Sequence, residues 1–213
     1  MKVVIFGATG FSGKAILQEA LAKNYQVTIL VRNAAAVLLK DKNLTIVEGS
    51  VLDRNTVNAV LKKQDAVIQC LGVGGKGDGK PTTFVSDANK IIMEEMQKNQ
   101  VSRLIAMSIA GAGNSLAFTP WVFQKIVLPY FMKWLQVLID DKNRMEPMIT
   151  GSDLDWTIVR CAGIVDKPAQ GKVTATLDGK GLKLSITLGD MAAFILGQLS
   201  DKTYIKQAPS ISN

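Results

Sequence analysis

Three observations predict an α/β fold built on a doubly wound parallel sheet with helices on both faces. Short runs rich in Val and Ile alternate with longer stretches whose apolar residues recur at helical spacing. The short runs are almost continuously apolar, as strands covered on both faces require. The first run leads through a glycine-rich turn into an amphipathic stretch, the opening of an alternating βα chain. With 213 residues, one domain spanning 1–213 is expected, its small C-terminal region a hairpin plus a helix on the substrate side.

The elements follow in order. Lys2 to Phe6 is the first strand, and Ser12 to Ala22 the first helix. Gln26 to Val31 and Leu44 to Val47 are the second and third strands, followed by a helix over Arg54 to Lys62. Ala66 to Cys70 is the fourth strand. Pro81 to Gln97 reads as a helix, with Phe84, Ala88, Ile91, Ile92 and Met96 on one face. Arg103 to Met107 and Trp156 to Arg160 are the fifth and sixth strands. Residues 112–150 form a long helical stretch carrying Trp121, Phe123, Tyr130, Phe131 and Trp134. Aromatic residues at that spacing pack a core more often than they line a site, yet the place after strand five also suits a roof over a flat ligand, or a dimer surface. Asp178-Gly179 signals a hairpin turn, and Asp190 to Leu199 a last helix.

Composition removes several chemistries. The chain has no histidine, which excludes Ser-His-Asp and Cys-His catalysis and every histidine metal site. Cys70 and Cys161 stand far apart, so no metal is expected, and a reducing cytoplasm fits. The net charge is +7, but the lysines are dispersed, so no nucleic-acid partner is expected. The longest apolar region, Leu116 to Ile139, is broken by Pro120, Lys125, Pro129 and Lys133, which argues against a membrane span. Met1-Lys2 runs straight into a strand, so no signal peptide is expected. A monomer or homodimer is expected.

Two glycine loops compete for a phosphate. In "GVGGKGDGKPTT", Gly74 to Lys80 matches the first seven positions of a P-loop, but Pro81 stands where a hydroxyl must hold Mg²⁺. Proline also removes an N–H from the helix start. The other loop, "VVIFGATGFSGKAIL", places Gly7, Gly10 and Gly13 between a strand and a helix, the context of a dinucleotide site. Gly7 permits a tight turn, Gly10 lets backbone approach a pyrophosphate, and Gly13 lets the helix pack against the sheet. The helix N-terminus offers N–H groups to the anion. At the end of strand two stands Arg32, where an NAD site carries Asp or Glu. A cation there suits a 2′-phosphate and predicts NADP(H) in preference to NAD(H); the plain alternative is a surface arginine.

The motifs "GATGFSG", "VTILVRN", "GSVLD", "QDAVIQCLG" and "SDLDWTIVR" resemble the NmrA-like NAD(P)H-binding group of atypical short-chain dehydrogenases/reductases, nearest its biliverdin- and flavin-reductase branch. The resemblance spans nearly the whole chain and implies a Rossmann-like fold. It implies that Thr9, Gly10, Phe11 and Ser12 surround the pyrophosphate, that Arg32 meets the adenosine phosphate, and that Val51-Leu52 line the adenine. It places Leu71 and Gly72 under the ribose and Ser108 beside the nicotinamide, and it implies that Lys76 or Lys80 clamps the cofactor edge. Ser50 departs from the group, where Asp is common after the glycine.

Typical short-chain dehydrogenases carry Tyr-x-x-x-Lys, which this chain lacks; Tyr130 and Lys133 are three apart, not four. Lys142 and Glu146 form a K-x-x-x-E pattern instead. By resemblance Lys142 approaches the nicotinamide ribose; equally, the pair suits a helix-surface ion pair. Lys142 and Gly163 stand where biliverdin-type relatives place histidines. Hydride transfer to a flavin or quinone needs stacking more than a protein acid. The expected function is therefore an NADPH-dependent reductase of a flavin, quinone or similar flat acceptor. The alternative is a non-catalytic NADP(H)-sensing regulator of the NmrA-like type.

Overall fold

A computed structural model gives the architecture, and its description covers residues 1–73, 80–119 and 121–213. In chain order the main elements are β1 (Lys2–Phe6), α1 (Phe11–Ala22), β2 (Gln26–Val31), β3 (Leu44–Glu48), α2 (Arg54–Leu61), β4 (Ala66–Gln69), α3 (Phe84–Lys98) and β5 (Arg103–Ile109). Then come α4 (Lys133–Thr150), β6 (Asp155–Cys161), β7 (Gly163–Val165), β8 (Thr174–Thr176), β9 (Ser185–Thr187), α5 (Leu188–Gly197) and β10 (Ser210–Ser212).

The main sheet has the order β3-β2-β1-β4-β5-β6-β10-β8. β3 through β10 run parallel; β8 alone is antiparallel, on the edge. The strand order reverses beside β1, which pairs with β2 on one side and β4 on the other. In such sheets ligands bind at that reversal, beyond the strand C-termini. The doubly wound α/β prediction is met.

Period-two alternation sorts the strand residues between two cores. Val3 and Ile5 of β1 pack with Ile16, Leu17 and Ala20 of α1 and Met191 and Ile195 of α5. Val4 and Phe6 face the other way, against Val57 and Leu61 of α2, Ile92 and Met96 of α3, and Met145 and Ile149 of α4. Each of those four strand side chains is fully buried, and truncating one to Ala would cost about 2–5 kcal/mol.

Three expectations are corrected. The stretch 112–150 is not one helix: it divides into a 3₁₀ segment at Gly113–Phe118, a π-helical segment at Phe123–Phe131, and α4. Leu128 of the π-helical segment joins Leu135 and Ile139 in a small separate core. The helix expected from Pro81 starts at Phe84, because Thr82 turns the chain there, its Oγ1 accepting from the Phe84 N–H at 3.1 Å. The expected C-terminal hairpin does not form. The chain bends at Asp178, with Gly179 at φ +80°, and turns one step later at Lys180–Gly181, where the Leu182 N–H bonds to the Gly179 carbonyl at 3.2 Å, but the arms diverge. β8 pairs antiparallel with β10, and β9 pairs parallel with β7 in a second sheet. Pro147 sits inside α4, which ends at Thr150 with the Gly151 N–H bonded back to the Pro147 carbonyl at 3.0 Å.

Candidate functional site

The first glycine loop lies at the sheet's reversal point. Gly7 has φ +89°, and a Cβ there would stand 2.6 Å from the Cys70 carbonyl oxygen of the neighbouring chain segment. A Cβ on Gly13 would stand 2.1 Å from the Gly7 oxygen, so α1 can lie this close to the turn only with glycine there. Gly10 differs. Its Cβ would meet only the Gly7 oxygen, at 3.3 Å, and the outer side is open. Thr9, Gly10 and Phe11 are exposed at this opening, with Ser12 partly so. No acidic residue occupies the first turn of α1. An open backbone cradle at an uncapped helix start fits a pyrophosphate.

Arg32 follows β2 and is exposed. Beside it, Asn33 caps the next short turn through Ala35 N–H at 3.0 Å, and Glu48 accepts from Ala34 N–H at 2.8 Å, fixing the backbone beside the guanidinium. At the end of β3, Ser50 Oγ accepts from Leu52 N–H at 3.2 Å. That turn leaves Val51 partly and Leu52 largely uncovered. The serine standing in place of aspartate thus holds the shape of the Val51-Leu52 platform.

After β4, Leu71 is partly buried and Gly72 is exposed, and among the described residues none comes within 4 Å of a Cβ on Gly72. The Lys142 ammonium of α4 bridges the ends of β4 and β5. It donates to the Met107 carbonyl at 2.8 Å and the Leu71 carbonyl at 3.3 Å. Burial pushes its pKa down to about 8, with the Asp141 carboxylate the main opposing influence. The surface-pair reading of Lys142 and Glu146 is excluded, because Glu146 points into a buried ion pair with Arg160. Burial raises the Cys70 and Cys161 thiols to about 12, so neither serves as a thiolate nucleophile.

Ser108, near the end of β5, is 4% exposed. Its hydroxyl donates to Glu146 Oε1 at 2.6 Å. Arg160 of β6 holds the same carboxylate from Nη2 to Oε2 at 2.6 Å and from Nε to Oε1 at 3.2 Å, while its Nη1 donates to Asn114 Oδ1 at 2.6 Å. The Gly113–Phe118 segment closes over this network. Gly113 has φ +56°, and a Cβ there would lie 2.5 Å from both Arg160 Nη2 and Glu146 Oε2. Ser108 and Lys142 therefore lie together where β4, β5 and α4 meet.

Lys76 lies outside the described residues, and the clamp expected of it is not addressed by them. Lys80 is exposed just before α3. The broken P-loop has a structural counterpart. Asp141 reaches from α4 to accept from Val85 N–H at 2.9 Å and Ser86 N–H at 3.2 Å. The start of α3 is thus already occupied by a carboxylate and is closed to a phosphate.

Sequence reasoning passed over Arg160, Asn114 and Asp141. Each acts through a partner remote in sequence, and the local trace was an arginine inside a strand, "DWTIVRC", that is buried from Trp156 onward. Among the described residues no cluster of His, Cys, Asp and Glu could hold a metal ion, and no helix is long and apolar enough to cross a membrane.

A family model described as NAD(P)H-binding matches residues 7–202. The photosystem II assembly factor Ycf39 of Synechocystis is 27% identical over 167 residues, covering 78% of this chain and 45% of that protein, so the chain spans under half of this relative. Anaerobillin reductase ChuY of Escherichia coli superposes with a TM-score of 0.79 at 21% identity, covering 100% of this chain and 97% of that one. A short-chain dehydrogenase/reductase of Veillonella parvula, in complex with NADP, gives 0.78 at 16% identity, with 100% and 94% covered. These two structures share the fold.

Proposed function

The chain belongs to the family described as NAD(P)H-binding, and from that premise we propose that it is an NADPH-dependent reductase that passes hydride to a flavin, quinone or similar flat acceptor. The observation that carries this reading is an open glycine-rich cradle at the start of α1 joined to a β4–β5 end that, among the described residues, lacks the tyrosine of a typical enzyme. Lys142 stands between the ends of β4 and β5, but the residue four before it, where a typical enzyme has tyrosine, is Leu138.

NADPH, when bound, supplies the hydride. Gly10 and the N–H groups that open α1 would hold the pyrophosphate, and Arg32 the 2′-phosphate. Val51 and Leu52 would meet the adenine, and Leu71 and Gly72 the ribose. Lys142, held by two carbonyls and weakly by Met145 Sδ at 3.9 Å, would orient a ribose hydroxyl by turning one N–H toward it. A flat acceptor would take the hydride by stacking on the cofactor, and water would supply the proton. Reduction of a ketone or sugar, which needs a proton delivered to one oxygen, is disfavoured. The NADP-bound Veillonella structure and the reductase ChuY support the cofactor and the reaction class.

Steady-state oxidation of NADPH with FMN, riboflavin and a short-chain quinone tests the reading, with simple ketones and sugars as controls. Turnover with the first group and none with the controls is expected. Tight NADPH binding without oxidation by any flavin or quinone would support the alternative, a sensor of NADP(H). That alternative is favoured by the same missing tyrosine.

A further inference from the structure

We propose that Ser108 meets the nicotinamide end of the cofactor as a hydrogen-bond acceptor, and that Glu146 and Arg160 are positioning residues that enforce this polarity. The inference rests on the reading above, which lays the nicotinamide beside the end of β5.

A serine hydroxyl has one proton and two lone pairs. In this protein the proton is committed: it points to Glu146 Oε1 at 2.6 Å. A carboxylate only accepts, so this bond runs from the hydroxyl to Glu146. Both oxygens of the Glu146 carboxylate also take donors from the Arg160 guanidinium, with contacts at 2.6 and 3.2 Å in a pocket where the Arg160 and Glu146 side chains are 7% and 5% exposed. Arg160 is itself pinned by Asn114 at 2.6 Å. The network holds the Ser108 rotor fixed, and any ligand group reaching Ser108 is met by a lone pair.

Such a site selects an N–H and repels a carbonyl oxygen. The carboxamide of nicotinamide carries an –NH2 that suits it. An acceptor carbonyl gains nothing from it, so Ser108 neither protonates nor polarises an acceptor oxygen. The role is one of specificity: it fixes which face and rotamer of the nicotinamide is presented to the acceptor.

The test compares NADP⁺ with its 3-acetylpyridine analogue, in which a methyl ketone replaces the carboxamide and the N–H donors are lost. Dissociation constants are measured by titration on the wild-type chain and on Ser108→Ala, Ser108→Thr and Glu146→Gln, each checked for fold by circular dichroism. Wild type should bind NADP⁺ about 3–10-fold more tightly than the analogue, the range of one hydrogen bond. Ser108→Ala should bring the ratio near one, and Ser108→Thr, which keeps the hydroxyl, should restore it. Glu146→Gln should erode the ratio with Ser108 still in place, since an amide can donate to the hydroxyl and free its proton to turn. Equal binding of the two ligands by wild type, or an unchanged ratio in Ser108→Ala, overturns the inference while leaving the cofactor reading intact. Failure of wild type to bind NADP⁺ at all overturns both. Ser108→Thr tests the inference even where Glu146→Gln does not fold.

Discussion

Arg160 and Glu146 meet twice beneath the end of β5, Nη2 to Oε2 at 2.6 Å and Nε to Oε1 at 3.2 Å. The pair joins β6 to α4, and Glu146 also accepts from the Ser108 hydroxyl of β5. Removing one partner of a buried pair leaves the other charge without compensation, which costs about 3–5 kcal/mol. Arg160→Met is expected to lower the unfolding free energy by that amount in urea titration. Adding Glu146→Gln to it removes the second charge and should recover a large part of the loss. A double variant as unstable as the sum of its single variants would show that packing, not charge pairing, holds this joint.

Gly10 and Gly13 are predicted to fail in different ways. Gly13→Ala puts a methyl 2.1 Å from the Gly7 oxygen, a clash with backbone that cannot be relieved locally. The variant should unfold at markedly lower urea or not accumulate as folded protein. Gly10 has φ −72° and ψ 170°, a conformation open to any residue, and a Cβ meets only one oxygen at 3.3 Å. Gly10→Val should therefore fold like wild type yet lose dinucleotide affinity by roughly a hundredfold or more, because its side chain fills the pyrophosphate space. Unchanged NADPH affinity in folded Gly10→Val would remove the loop from the site.

The parts of this fold that were legible in the sequence are those governed by local pattern. Val3 to Phe6 announces a buried parallel strand, and Gly7, Gly10 and Gly13 announce a βα phosphate turn, because period and glycine geometry are properties of neighbours in the chain. The boundary at Phe84 was missed by three residues, since a proline can open a helix but Thr82 turns the chain first. The C-terminal pairing was illegible for a different reason. The chain does turn just after Asp178-Gly179, yet which strands pair depends on distant β10 and β7, and nothing at the turn encodes them. The same holds at the site. Ser108 and Lys142 were placed by resemblance, whereas the Ser108–Glu146–Arg160–Asn114 chain joins four segments up to 52 residues apart in sequence and becomes visible only when β5, β6 and α4 are packed.

Arg32 is expected to set cofactor choice. Its exposed guanidinium follows β2, beside backbone fixed by Asn33 and Glu48. A charge-assisted bond to a 2′-phosphate contributes about 1.5–3 kcal/mol, roughly ten- to a hundredfold in affinity. Arg32→Ala should weaken NADPH binding by that factor and leave NADH within about threefold of wild type. The preference should also shrink with added salt, since the contact is open to solvent. Equal losses for both cofactors would assign Arg32 to adenine stacking and withdraw the NADP preference.

Lys142 should leave a signature in the pH dependence of stability. Its folded pKa is about 8, below the ordinary 10.5, with burial the main cause and Asp141 and Glu146 resisting it. Between those two values the unfolded chain binds the proton that the folded chain has released. Stability linked to this group therefore rises with pH from about 8 to about 10.5, and below 8 the cost of holding the charged ammonium in the fold is fully present. The ammonium is bonded to the Met107 and Leu71 carbonyls but is not wholly enclosed, so solvent screening reduces the full shift to a gain on the order of 1–2 kcal/mol. Lys142→Met carries no titrating group at this place. The difference in unfolding free energy, wild type minus variant, should climb across that window and stay flat between pH 6 and about 7.5. Cys70 and Cys161, both raised to about 12, add little slope of their own in the folded state, and their contribution is common to both proteins. A difference that stays level from pH 6 to 10 would mean that Lys142 keeps its proton at an ordinary pKa. It would then be a solvated surface lysine, and its assignment to the ribose end of the site would fail with it.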